Sequence, residues 1–173
     1  MRARHAICLS LLAIGCARHR TSDATADVVP AHGRAVLVFV SPACPIANRY
    51  APELARIAAR FADRARFTLV YPDATDEEVR AHRAAYALPI AATRDPQHAL
   101  VARAHAEVTP EAALFADGAL VWHGRIDDRY ADVAHERPAA TTHDLEDAVA
   151  ALVDGRALPP AHPAVGCAIE PPR

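Results

Sequence analysis

Residues 36–52 read VLVFVSPACPIANRYAP. With Ala35, the first six positions (residues 35–40, AVLVFV) form an unbroken apolar run rich in β-branched side chains. That suits a central strand buried on both faces. Ser41-Pro42-Ala43 is a turn, and Pro45 belongs at the first position of a helix, where its missing N–H costs nothing. Ile46, Tyr50, Leu54, Ile57 and Phe61 then recur at three- and four-residue steps, predicting an amphipathic helix over 45–62. Cys44 is therefore set at the N-cap or beside it. Unpaired helix N–H groups and the positive end of the helix dipole favour a thiolate there. Arg49 adds charge to that thiolate if it shares the face. The competing reading is a small buried hydrophobe, but the exposed turn before Cys44 favours a reactive or disulfide-bonded sulfur.

Strand and helix patterns alternate outward from this segment. Residues 66–71 read as a second strand, and 75–86 as a helix opened by a Thr75-x-x-Glu78 capping box. Residues 88–92 are a short strand, and 95–106 a helix with Asp95 as cap and Pro96 at its first position. Asp117-Gly118 joins strands 111–116 and 119–123 in a two-residue hairpin. A last helix, 142–153, is capped by Thr141 and stopped by Gly155. The tail, 156–173, is rich in Pro and is expected to wrap the surface without forming an element. Strand–helix–strand units, a hairpin and a closing helix predict an α/β domain over 28–155 with a central mixed sheet flanked by helices.

Composition narrows the function classes. The 173 residues are 52% hydrophobic and 23% charged, with a net charge of −2. This is globular, and it excludes a polybasic binder of nucleic acid or of membrane surfaces. At the N-terminus Arg2 and Arg4 precede an apolar run to Ile14, the signature of a secretory signal over 1–15. Leu12-Ala13-Ile14-Gly15-Cys16 resembles the lipobox of bacterial lipoproteins. The resemblance implies lipidation of Cys16, a polar tether over 16–27 and a membrane-anchored place in the cell envelope or periplasm. Ala13 stands where Leu is usual. Cys8 would leave with the signal and Cys16 would be acylated. Cys44 and Cys167 are then an even pair in an oxidising compartment, as a disulfide requires.

The strand–turn–Cys–helix unit, with Pro52 eight residues after Cys44, resembles the thioredoxin-like superfamily, and within it the redoxin branch of alkyl hydroperoxide reductase and thiol-specific antioxidant type. Two further stretches carry the resemblance. Val108-Thr109-Pro110 before the hairpin resembles the cis-proline loop of that family, and Gly124-Arg125-Ile126-Asp127-Asp128 resembles a stretch common after it. The resemblance implies a thioredoxin-like fold. It further implies Cys44 as nucleophile and a substrate groove shaped by Ser41, Pro45, Thr109 and Pro110. The partner is a redox protein or a peroxide, and no cofactor is needed.

Several positions depart from the family. Ala47 stands where a Cys-x-x-Cys motif has its second thiol, and Val38 where thioredoxins bury an acid. Against the peroxiredoxin pattern Ser41 fits. Leu37 does not, and Thr109-Pro110-Glu111 stands where the peroxide-holding Arg belongs. Cys167, in the apolar island Ala164-Val165-Gly166-Cys167-Ala168-Ile169, is the candidate that restores a second thiol by docking on Cys44. Such a bond resolves an intermediate formed at Cys44 or staples a binding module that does no chemistry. Peroxide reduction stands as the alternative enzymatic reading. The ten His are scattered without ligand spacing, so no metal is expected. Asp127-Asp128 reads as a solvated turn, and Phe115 and Trp122 as core.

Overall fold

The computed structural model describes residues 27–172. The expected signal over 1–15, Cys16 and the tether up to residue 26 lie outside the described residues. Five strands make the main sheet: β1 (Arg34–Phe39), β2 (Arg66–Tyr71), β3 (Ala91–Arg94), β5 (Glu111–Ala116) and β6 (Ala119–Gly124). Their order is β3-β2-β1-β5-β6, with β1–β2 and β2–β3 parallel and β1–β5 and β5–β6 antiparallel. Among the described residues they are accompanied by the helices α1 (Pro45–Arg60), α2 (Asp76–Ala85), α3 (Ala99–Ala104) and α4 (Asp144–Asp154). Short strands β4 (Val108–Thr109) and β9 (Cys167–Ala168) pair with each other, as do β7 (Tyr130–Asp132) and β8 (His135–Glu136).

The uninterrupted apolar run of β1 is explained by burial on both faces. Val36 and Val38 join Tyr50, Leu54 and Ile57 of α1 and Leu145 and Val149 of α4 in one cluster. Ala35, Leu37 and Phe39 alternate to the other face, against Leu100 and Ala104 of α3 and Phe115 of β5. Burying a side chain such as Val36 or Phe39 fully contributes about 1.5–3 kcal/mol. β1 is thus buried on both faces, and it ends just before the turn that carries Cys44. The hairpin closes through Asp117 and Gly118, both at positive φ (47° and 80°), as a type I′ turn needs.

Three boundaries differ from the sequence reading. β3 begins at Ala91, not Leu88, because its pairing with β2 runs from Thr68–Ala91 to Tyr71–Arg94. Leu88 and Ile90 are buried as loop plugs before it. α3 begins only at Ala99, after a turn through Pro96 and Gln97. The Asp95 carboxylate still serves the helix start, accepting from Leu100 N and Val101 N at 2.8 Å each. α4 is preceded by His143 at the N-cap, while the Thr141 backbone and hydroxyl are both drawn to Asp128. The capping box of α2 is present in both directions, and Gly155 ends α4 at φ 66°. The tail, expected to form no element, contributes β9.

Candidate functional site

Cys44 is the N-cap residue of α1, with Pro45 next and no acidic residue in the first turn. The turn before it is closed by Cys44 N donating to Ser41 O at 3.1 Å and Ala43 N donating to Ser41 Oγ at 3.3 Å. Ser41 thus shapes the turn with both of its oxygens. The Thr109–Pro110 peptide bond is cis. The Thr109 carbonyl oxygen stands 3.0 Å from Cys44 Sγ.

Cys44 and Cys167 form a disulfide, with Cα atoms 5.9 Å apart across a sequence separation of 123. That Cα distance is in the middle of the range for such bonds. The chain-entropy model gives a bridge of this span about 5 kcal/mol of stabilisation against the unfolded chain. Cys44 is buried, only 1% exposed, because the tail lies over it. In the reduced state two effects act on its sulfur in opposite directions. The N-terminus of α1 favours the thiolate, and the Thr109 carbonyl favours the thiol by accepting S–H.

Arg49 is not turned to the sulfur as expected. Its mostly exposed guanidinium pairs with Glu136 on β8, Nε to Oε1 at 3.3 Å. What supports the turn instead is a buried polar chain with no signal in the sequence. Tyr71 O–H donates to His82 Nδ1 (2.8 Å) and His82 Nε2–H donates to Asn48 Oδ1 (2.9 Å). Asn48 Nδ2 then donates to Pro42 O at 3.0 Å. The atom that Asn48 turns to His82 is its carbonyl oxygen, so Nε2 carries the ring proton and Nδ1 accepts. Burial lowers the His82 pKa and keeps the ring neutral, and burial pushes the Tyr71 hydroxyl up to about 12.

Asp127 and Asp128 are buried, not solvated as the sequence suggested. Asp127 accepts from the Tyr50 hydroxyl and from Arg129 N. Asp128 accepts from Arg137, from Thr141 N and Oγ1, and from Thr142 N. Together they tie the segment after β6 to α1 and to the approach of α4. The hydrogen bonds from Thr141 and Thr142 hold the Asp128 carboxyl well below its usual range against the cost of burial.

Glu111, the first residue of β5, is also buried. Its carboxylate accepts from Glu107 N (2.9 Å) and Val108 N (3.3 Å) and faces His123 Nδ1 at 3.2 Å. This pins β4 from the sheet side. A cleft between β4, β6 and the tail is lined by His105, Glu107, Glu111, His123 and His162.

Among the described residues, Glu53, His143 and Glu146 bring ligand atoms within 4.8 Å of one another. Those carboxylates are already neutralised by guanidinium: Arg56 reaches both Glu53 and Glu146, and Arg60 reaches Glu146. Glu53 and Glu146 belong to an ion-pair network between α1 and α4. No described helix is long and apolar enough to cross a membrane.

A mixed five-stranded sheet, a Cys at the N-cap after its central strand and a cis-proline facing that sulfur define a thioredoxin-like fold. Solved structures agree. The chain superposes on a thioredoxin-like protein in the oxidized form with a TM-score of 0.53 at 14% identity, covering 73% of this chain and 81% of that one. Two further structures are similar at a TM-score of 0.67. One is a hypothetical protein from Sinorhizobium meliloti (24% identity, 79% of each chain). The other is an uncharacterized conserved protein from Geobacillus kaustophilus (22% identity, 80% of this chain and 77% of that one). No protein-family model matches the chain, and no curated protein matches it.

Proposed function

We propose that the protein is an exported thiol–disulfide oxidoreductase of redoxin type, tethered to the membrane through Cys16, with Cys44 as nucleophile and Cys167 as resolving thiol. The observation that carries this reading is the Cys44–Cys167 bond at the N-terminus of α1, against the Thr109 carbonyl. In the reduced protein the Cys44 thiolate attacks a partner disulfide. A Cys44–partner bond forms, and the other partner sulfur leaves as a thiolate. The Cys167 thiolate then attacks Cys44 Sγ and expels the second partner thiolate. Two electrons pass from the cysteine pair to the partner, and a dithiol reductant returns them. The same Cys44 thiolate would serve peroxide reduction, but no Arg lies at the hairpin start to hold the peroxide, so disulfide exchange is preferred.

The burial of Cys44 under the tail favours one second reading, a structural staple in a binding module. Redox titration separates the two. A working couple opens in a glutathione or dithiol buffer at a potential above about −300 mV, whereas a staple lies below it. The oxidoreductase reading expects such opening in the folded protein. It also expects reduction of insulin disulfides with dithiothreitol as donor, lost in Cys44→Ser. A bond that resists reductant until the fold melts refutes it.

A further inference from the structure

Glu111 is only 5% exposed, yet among the described residues no guanidinium meets its carboxylate. The buried carboxylates Asp128, Asp144 and Glu146 each meet an Arg. The two oxygens of Glu111 are divided otherwise. Oε2 accepts from the Glu107 amide at 2.9 Å and the Val108 amide at 3.3 Å, while Oε1 faces His123 Nδ1 at 3.2 Å. One oxygen therefore positions the backbone of Glu107 and the other orients the His123 ring. With Nδ1–H donating to the carboxylate, Nε2 keeps the free lone pair. A carboxylate on the far N–H is the arrangement that orients a metal-binding imidazole and raises its basicity.

The half-exposed His123 ring lines the cleft between β4, β6 and the tail, and the opposite wall supplies further donors. His105 closes α3 at φ 56°, with its N–H turned to Val101 O and Ala102 O, so its backbone is held. Between α3 and β4 the burial alternates: His105 and Glu107 are exposed, and Ala106 is buried in the cluster of Phe39 and Leu100. Both outward side chains line the same cleft. The His105 and His123 rings are 6.2 Å apart, centre to centre, and tilted by 52°. Two imidazoles on one tetrahedral zinc, with Zn–N about 2.1 Å, have centres about 5.3 Å apart. A small rotation of the exposed His105 side chain covers a difference of about 1 Å. The cleft, of about 310 Å³, has room for the ion and for waters of about 30 Å³ each.

We propose that this cleft is a divalent transition-metal site that takes zinc through His105, Glu107 and His123, with Glu111 orienting the His123 ring. Imidazole and carboxylate donors suit this ion without a thiolate, and three protein ligands leave its fourth position to water. Neither Glu107 nor Glu111 pairs with an Arg among the described residues, unlike the carboxylates of the Glu53–His143–Glu146 group. No local spacing announces the set, because the β5–β6 hairpin returns His123 to the level of Ala113, beside Glu111. The tail from Ala161 to Ala164 forms the remaining wall, so the ion lies against the segment that leads to Cys167. The site does not depend on the thiol-exchange reading.

The test uses the full chain with the Cys44–Cys167 bond closed and every other thiol alkylated, so that sulfur takes no part. Zn²⁺ is titrated in competition with a chromophoric chelator, and one ion per chain is expected in the cleft. His105→Ala, Glu107→Gln and His123→Ala change exposed or half-exposed side chains and should each weaken binding at least tenfold. Glu111→Gln leaves every ligand in place and should also weaken it about tenfold or more. His143→Ala should leave it unchanged. No bound ion, a loss under tenfold in either His105→Ala or His123→Ala, or a loss in His143→Ala overturns the inference. Ring-nitrogen NMR of the histidines gives a readout that a folding defect does not imitate. Zn²⁺ should shift His123 Nε2 while Nδ1 keeps its proton against Glu111. Zinc on Nδ1, or unmoved His105 and His123 signals, overturns the inference equally.

Discussion

Replacing Glu146 with Gln removes the charge that ties α4 to α1, the helix that presents Cys44. Hydrogen bonds from Arg56 and Arg60 pull the Glu146 pKa from 4.5 down to about 2, with Arg56 the stronger cause. The Glu146 side chain is 10% exposed, while Arg56 and Arg60 are 47% and 58% exposed. Converted in full, that displacement is worth about 3 kcal/mol. Water and salt around the guanidinium groups screen much of it, which leaves about 1–2 kcal/mol. The folded pKa is the depressed one, so this stability is complete above pH 4.5 and disappears as pH falls toward 2. Urea unfolding followed by the fluorescence of Trp122, the single tryptophan, measures it. At pH 7 Glu146→Gln should unfold about 1–2 kcal/mol more easily than the parent, and the gap should shrink steadily between pH 4.5 and pH 2. Parallel stability curves through that window would refute the assignment of the pair.

Asp128→Asn should loosen the segment that Asp128 gathers from Arg137, Thr141 and Thr142. The expected loss is about 1–3 kcal/mol, with faster hydrogen exchange at the Thr141 and Thr142 amides; an unchanged exchange rate counts against it. Asn48→Ala breaks the chain between His82 and Pro42, and iodoacetamide should then alkylate Cys44 of the reduced protein faster, at a cost of about 1 kcal/mol in stability. His82, neutral in the fold because burial lowers its pKa below 6.5, adds stability that is complete above that pH and is lost as the ring protonates below it. His82→Leu should flatten the loss of stability just under pH 6.5, and a wild-type slope in the variant would contradict this. Gly124→Ala should push His162 off Arg125 N and speed hydrogen exchange at the Arg125 amide without altering exchange in β1.

Local chemistry was readable in the sequence at several element ends, though not at the starts of α3 and α4. Pro45 after a turn marked the start of α1, Thr75 and Glu78 marked the start of α2, and Asp117-Gly118 marked the hairpin. The Cys44–Cys167 pairing was also legible, because an even thiol count left two partners and an apolar island marked the tail's point of docking. Most of the other misses share one cause, distance along the chain. Asp127 and Asp128 look like turn formers until Tyr50 and Thr141–Thr142 arrive from elsewhere to satisfy them. Arg49 lies one turn and a little beyond Cys44, but Glu136 on β8 draws its charge outward. His82 carries no local mark of its link to the Cys44 turn, since Tyr71 and Asn48 meet it only through the packing of α2 beside α1. The late start of β3 follows from β2, which sets the register and leaves Leu88 as a plug.

The sequence separation of 123 between the two cysteines also sets an order in time. A ribosome delivers Cys44 first, then α1, the later strands and the other helices that frame it, and Cys167 only after all of these. Closing the bond therefore records that everything between the two cysteines has been made and folded. A product cut short before residue 167 lacks more than a stabilising tie. It keeps an unclaimed sulfur at a helix start, where the bonded chain has none.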